Sequence, residues 1–252
     1  MGKQDFRGDL YRQYVSGFKA LENPLDARSL ESYLKWCRFR LGPLLAQIGR
    51  DGPVLEIGCG SGNLLLYLVR EGFTNVMGID ISPEQVELAV ERGLDVEVAD
   101  AFEFLPRAPK VQLVLAIDFL EHFEKYEVLE LLSLFYEVLE HDGWLIIQTP
   151  NGQGLFPHHV IHGDFTHLST LSPASLRQAL FHAGFSEIRF EETGPVPKNL
   201  VGAGRAFLWR VVKLVANLIR VIETGKTQRI WTENMICVAR KCRQAHSRTG
   251  SL

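Results

Sequence analysis

Two rhythms of apolar residues divide the chain near position 53. Before it, Leu30, Tyr33, Leu34, Cys37, Leu41, Leu44, Leu45 and Ile48 recur at helical spacing, which predicts helix over 24–48. Pro43 is expected to kink or divide that stretch. After it, short apolar runs alternate with amphipathic ones. Strands are predicted at Val54–Ile57, 75–79, 96–99, Val111–Ile117, 144–149, 185–190 and 235–239. Helices are predicted at 63–71, closed by Gly72, at 84–92, opened by Ser82 and Pro83, at 126–139, and from Ser172-Pro173 to Gly184.

Strands separated by helices imply βαβ units and a mainly parallel sheet, hence an α/β, Rossmann-like fold. Ligands of such sheets bind beyond the carboxyl ends of the strands. That rule selects the glycines after residue 57, Asp80, Asp100, the segment 118–122 and the segment 149–151.

Glycines at 58, 60 and 62 allow a sharp turn with positive φ and close approach of a ligand to the backbone. Their spacing is GxGxG, not the GxGxxG of dinucleotide sites, and no Walker lysine follows. A nicotinamide cofactor and a nucleoside triphosphate are therefore disfavoured. Asp80 falls 22 residues after Gly58, where a carboxylate accepts from both hydroxyls of a ribose. It reads equally as an acid opening the next helix. Asp100 is placed to accept from an adenine amino group, or to cap the turn that follows it.

Together, Glu56-x-Gly58-x-Gly60-x-Gly62, Gly78-Ile79-Asp80-Ile81-Ser82, Ala99-Asp100-Ala101 and Leu120-Glu121-His122 resemble the class I S-adenosylmethionine-dependent methyltransferases over roughly 53–190. The resemblance implies a seven-stranded sheet with an antiparallel final strand. It implies that Glu56 and the backbone of Gly58, Cys59, Gly60 and Gly62 hold the methionine part of S-adenosylmethionine. Asp80 would hold the ribose and Ile81 would pack on adenine. Asp100, Ala101 and Phe102 would meet the adenine edge, and the backbone at Ile117 and Asp118 would lie near the methionine. Members of the family close an N-terminal helix over the cofactor, a role open to Tyr11 and Tyr14, which read equally as core residues.

A hydroxyl acceptor has to lose a proton, and a positioned histidine accepts one. His122 follows the fourth strand. His167 lies in a long loop, 151–171, of the kind that builds substrate sites, with Asp164 placed to orient it or to bind a substrate hydroxyl. The loop also carries His158, His159 and His162, but no spacing matches a zinc signature, and no metal is expected. From Asp164 through Thr170–Leu176 to Ala183-Gly184-Phe185 the chain resembles methyltransferases of bacterial surface-polysaccharide and glycan pathways. That similarity implies a sugar hydroxyl on a lipid- or nucleotide-linked glycan; a phenolic, quinone-precursor or natural-product acceptor, and a non-catalytic cofactor-binding module, are the alternatives.

Charge changes this picture at one place. The net charge is −3 over 252 residues. Residues 51–195 carry 7 basic and 23 acidic side chains, a net of −16, whereas 196–252 carry 11 and 2, a net of +9. In 203–223 a narrow stripe of Arg210, Lys213, Asn217, Arg220 and Thr224 interrupts a wide apolar surface. That pattern suits a basic helix packed in the fold, lying on a membrane surface or meeting a partner, and not a spanning one. The expected organisation is an N-terminal helical cap (1–50), a core (51–195), a basic amphipathic helical insertion (196–230), a last strand (231–241) and a flexible tail (242–252). The acidic core argues against nucleic acid. Scattered cysteines and the absence of an N-terminal apolar run give a cytoplasmic expectation.

Overall fold

The computed structural model describes residues 27–242. Tyr11, Tyr14 and the tail from 243 lie outside the described residues. Seven strands, β1 (Val54–Ile57), β2 (Val76–Asp80), β3 (Val96–Val98), β4 (Val111–Ile117), β5 (Leu139–Pro150), β6 (Ser186–Glu192) and β7 (Asn234–Arg240), form one sheet. Their order is β3-β2-β1-β4-β5-β7-β6. β7 alone runs against its neighbours, β5 and β6. The direction in which strands are added reverses between β1 and β4, and a crevice opens there at the carboxyl ends.

Both faces of the sheet are covered, so β4 is apolar apart from Gln112. Alternation sends Leu113 and Leu115 to one face and Val114 and Ala116 to the other, all fully buried. The first face packs on α1 (Ala27–Arg40), α2 (Gly42–Leu45) and α3 (Asn63–Arg70) through Leu34, Cys37, Leu41, Leu45 and Leu68. The second packs on α6 (Lys125–Val138) and α8 (Pro173–His182) through Leu131, Leu132, Phe135, Leu176 and Leu180. Each such side chain contributes about 1.5–3 kcal/mol by leaving water. α4 (Pro83–Glu91) follows β2, α5 (Ala101–Phe104) follows β3 and joins the second face, and α7 (His158–His162) follows β5.

Beyond shifts of a few residues at several element ends, two details differ from expectation. β5 begins at Leu139, not 144: Val111 pairs with Leu139, the register then shifts, and Leu113 pairs with Trp144. Asp142, at φ +62°, and Gly143 lie within that strand, although they read as a turn. Ser82 precedes α4 as expected, but its hydroxyl makes no cap; the carboxylate of Asp80 takes the Ser82 amide instead.

The largest departure is α9 (Leu200–Thr224). Packing inside the fold was one expectation for this helix, yet none of its residues is buried. Lys213, Asn217 and Arg220 of its polar stripe face the body of the protein, whereas Arg210 and Thr224 are exposed. Lys213 pairs with Glu192 at the end of β6, and Asn217 accepts from the Gln228 amide at 2.7 Å. Its apolar side faces outward, with Phe207, Leu208, Leu214, Leu218, Ile219 and Ile222 all more than 60 % exposed.

Candidate cofactor and acceptor site

A cavity of ≈ 580 Å³ lies in the crevice at the carboxyl ends of the strands. Its floor is the glycine loop. Gly58, Gly60 and Gly62 have φ of +70°, +52° and +76°, values that favour glycine. The amides of Gly58 and Cys59 both donate to the Ile79 carbonyl, at 2.9 and 3.0 Å, which ties β1 to β2. The Gly60 amide donates to Asp80 Oδ2 at 2.8 Å, and the Ser82 amide donates to Asp80 Oδ1 at 2.8 Å. One carboxylate thus sets both the bend of the loop and the start of α4.

Glu56, Gly58, Cys59, Gly60, Asp80, Ile81, Asp100, Ala101, Phe102, Ile117 and Asp118 all line the cavity. Gly62 does not. It sits at the N-terminus of α3, where a side chain would come within 2.3 Å of Leu94 Cδ1, so its lack of a Cβ serves packing. Cys59 lines the cavity with little but backbone: its sulfur stands where a Cβ on Gly78 would be, 2.8 Å away. Asp100 does both things expected of it in position, since Oδ1 accepts from the Phe102 amide at 2.7 Å while the residue still borders the cavity. Asp118 adopts φ +51°, rare outside glycine, and its carboxylate accepts from Gln148 Nε2 at 2.9 and 3.0 Å.

His122, Asp164 and His167 line the same cavity from the acceptor side. The carboxylate of Asp164 is held by Thr166. Its Oδ1 accepts from the hydroxyl of Thr166 at 2.6 Å, and Thr166 Oγ1 lies 2.8 Å from His122 Nδ1. His167 meets the Ile161 carbonyl through Nδ1 at 3.3 Å, its ring 4.8 Å from that of His122. By donating to Asp164, the Thr166 hydroxyl bridges that carboxylate to the His122 ring, which also hydrogen-bonds the Asp118 backbone.

Burial sets the electrostatics. It pushes His122 down to about 4, helped by the nearby His167, so the ring is neutral at physiological pH. It holds Glu56 well above the ordinary carboxylate range, with Asp80 adding repulsion, and does the same to Glu121 with Asp118. Glu121, His122 and His167 bring potential ligand atoms within 4.8 Å of one another. Burial favours the neutral form of Glu121, which weakens this donor set for a cation.

The sequence profile of the methyltransferase-domain family matches residues 30–189. The chain belongs to that family. Among curated relatives, it is 30 % identical over 135 residues to the trans-aconitate 2-methyltransferase of Mycobacterium ulcerans, covering 51 % of this chain and 50 % of that protein. It is 34 % identical over 173 residues to the sarcosine/dimethylglycine N-methyltransferase of Halorhodospira halochloris, covering 64 % and 61 %. The chain thus spans between half and two-thirds of the length of these relatives. A crystal structure of a SAM-dependent methyltransferase from Archaeoglobus fulgidus shares the fold, with a TM-score of 0.63 at 23 % identity, over 86 % of this chain and all of the other.

S-adenosylmethionine is the cofactor of this methyltransferase class, and the residues present fit it. Glu56 Oε2 and Ser82 Oγ are buried at the cavity without a hydrogen-bond partner. A buried carboxylate with an unmet oxygen suits the α-ammonium of a methionine moiety. Gly60 leaves its side of the loop open, with nothing nearer than 3.7 Å to a notional Cβ. Sequence reasoning missed several lining or supporting residues, Tyr33, Thr166 and Asn234 among them. Tyr33 of α1 reads as core from its helical spacing, yet borders the cavity. Thr166 is silent beside two more conspicuous neighbours. Asn234 opens β7 and reaches the cavity from across the sheet.

Proposed function

We propose that this chain methylates a hydroxyl oxygen of a sugar-like acceptor, with His122 as the base. One observation carries the reading: the Asp164–Thr166–His122 chain of hydrogen bonds borders the same cavity as the glycine loop and Asp80. Bound S-adenosylmethionine supplies a methyl group activated on sulfonium sulfur. The acceptor oxygen takes that methyl as the C–S electron pair returns to sulfur, and the hydroxyl proton passes to His122. An attacking hydroxyl becomes strongly acidic as it is alkylated, so even a weak, neutral imidazole suffices. Asp164, acting through Thr166, offsets the positive charge that develops on the ring. The glycine loop and Asp80 align the reactants, which is the larger part of catalysis when the cofactor carries the reactive group.

The lining argues against a polycarboxylate acceptor. Seven carboxylate residues border the cavity, and no lysine or arginine does so among the described residues. The same lining favours a cationic amine, which is the second reading. A panel decides between them: nucleotide-linked and free glycosides, phenols, trans-aconitate and sarcosine, each with labelled cofactor and the methylated atom located by NMR. Methyl ether formation on a glycoside supports the proposal. N-methylation alone, or ester formation on trans-aconitate alone, defeats it.

A further inference from the structure

We infer that α9 docks the protein on an anionic lipid bilayer, lying in the plane of the interface. At about 100° per residue, the exposed apolar side chains of this helix occupy one contiguous half of its circumference. The other half carries Trp209, Lys213, Asn217 and Arg220, all half-buried against the body. In a free-standing globular protein the two halves would be reversed, with the apolar one inward. A contiguous apolar helix face left outward marks a surface built to be covered.

Charge identifies what covers it. Arg205 and Arg210, both exposed, stand on opposite borders of the apolar half, the places from which long basic side chains reach lipid headgroups. Lys226 follows at the C-terminal end, and Glu223 is the only acid between 198 and 229, against seven basic residues. The acidic core, with its net −16, would be repelled by the same surface, so attraction is confined to this side. No helix among the described residues is long and apolar enough to cross a membrane, so the contact is interfacial. The docked helix is coupled to the loop that closes the acceptor side, because Gln228, held by Asn217, donates to the Gln153 carbonyl at 2.7 Å.

Co-sedimentation of the full chain with vesicles tests this. Phosphatidylcholine vesicles containing phosphatidylglycerol should bind it more tightly than pure phosphatidylcholine by on the order of tenfold or more, and added salt should erode the difference. L214D/L218D should abolish binding, and R205E/R210E should reduce it to the level of neutral vesicles. Calorimetry with S-adenosylhomocysteine verifies that each variant is folded, and light scattering gives the oligomeric state. Absence of wild-type binding to either vesicle overturns the inference. So does L214D/L218D binding like wild type, or converting a vesicle-indifferent dimer to a monomer, which would assign the face to a second copy.

Discussion

The hydroxyl of Thr166 lies 2.8 Å from Nδ1 of His122 and links that ring to the carboxylate of Asp164. Thr166→Val keeps the branched shape and removes the hydroxyl. It is expected to lower kcat about tenfold, and His122→Gln by about 10²–10⁴-fold, with the KM for S-adenosylmethionine nearly unchanged in both. Steady-state kinetics on the identified acceptor measure this. Equal turnover in wild type and His122→Gln would remove the base from the proposal.

The depressed pKa of His122 gives a pH signature. The ring stays neutral down to about pH 4, so the acid limb of kcat/KM belongs well below the ordinary histidine range. Stability follows the same linkage. The folded pKa lies below the unfolded value of 6.5, so the unfolded chain binds the proton first. This contribution is full above 6.5 and is lost as pH falls through about 4. Thermal melts at pH 5 and 7.5 should show a smaller loss on acidification for His122→Gln than for wild type.

Glu56 trades stability for binding. Its folded pKa is raised, so it destabilises the protein increasingly as pH rises through that value. Glu56→Gln is expected to raise the Tm of the cofactor-free protein at pH 8 and to weaken S-adenosylhomocysteine binding about tenfold. Melting curves with and without ligand separate the two effects.

Gly58 is held by both conformation and space. Its φ is +70°, and a Cβ would stand 2.7 Å from the Phe119 ring. Gly58→Ala should cost about 1–3 kcal/mol of stability and push Phe119 into the cavity, weakening cofactor affinity. Gly72→Ala shares the positive φ but has open space around it, and serves as the control for strain alone.

Sequence carried the fold well where one residue type meets one physical demand. Val111–Ile117 is apolar but for Gln112 because both faces of β4 are covered, and its observed ends coincide with the reading. The loop glycines and Asp80 were legible because positive φ and a carboxylate at a strand end leave little choice of residue. Partnership between side chains was not legible. Asp164 reads as a partner of His167 or of a substrate hydroxyl, and only the folded loop shows its carboxylate reaching His122 through Thr166. Nor does amphipathicity state which half of a helix faces the body: the periodicity of α9 is the same whether Lys213 meets water or Glu192.

The site depends above all on Asp80, whose carboxylate takes the Gly60 and Ser82 amides. Isothermal titration of the full chain with S-adenosylhomocysteine, wild type against Asp80→Ala, addresses this directly, with circular dichroism to verify folding. The expected result is saturable one-to-one binding by wild type and at least about tenfold weaker binding by the folded variant. Equal affinities, or a wild type that binds neither this product nor S-adenosylmethionine, would contradict it.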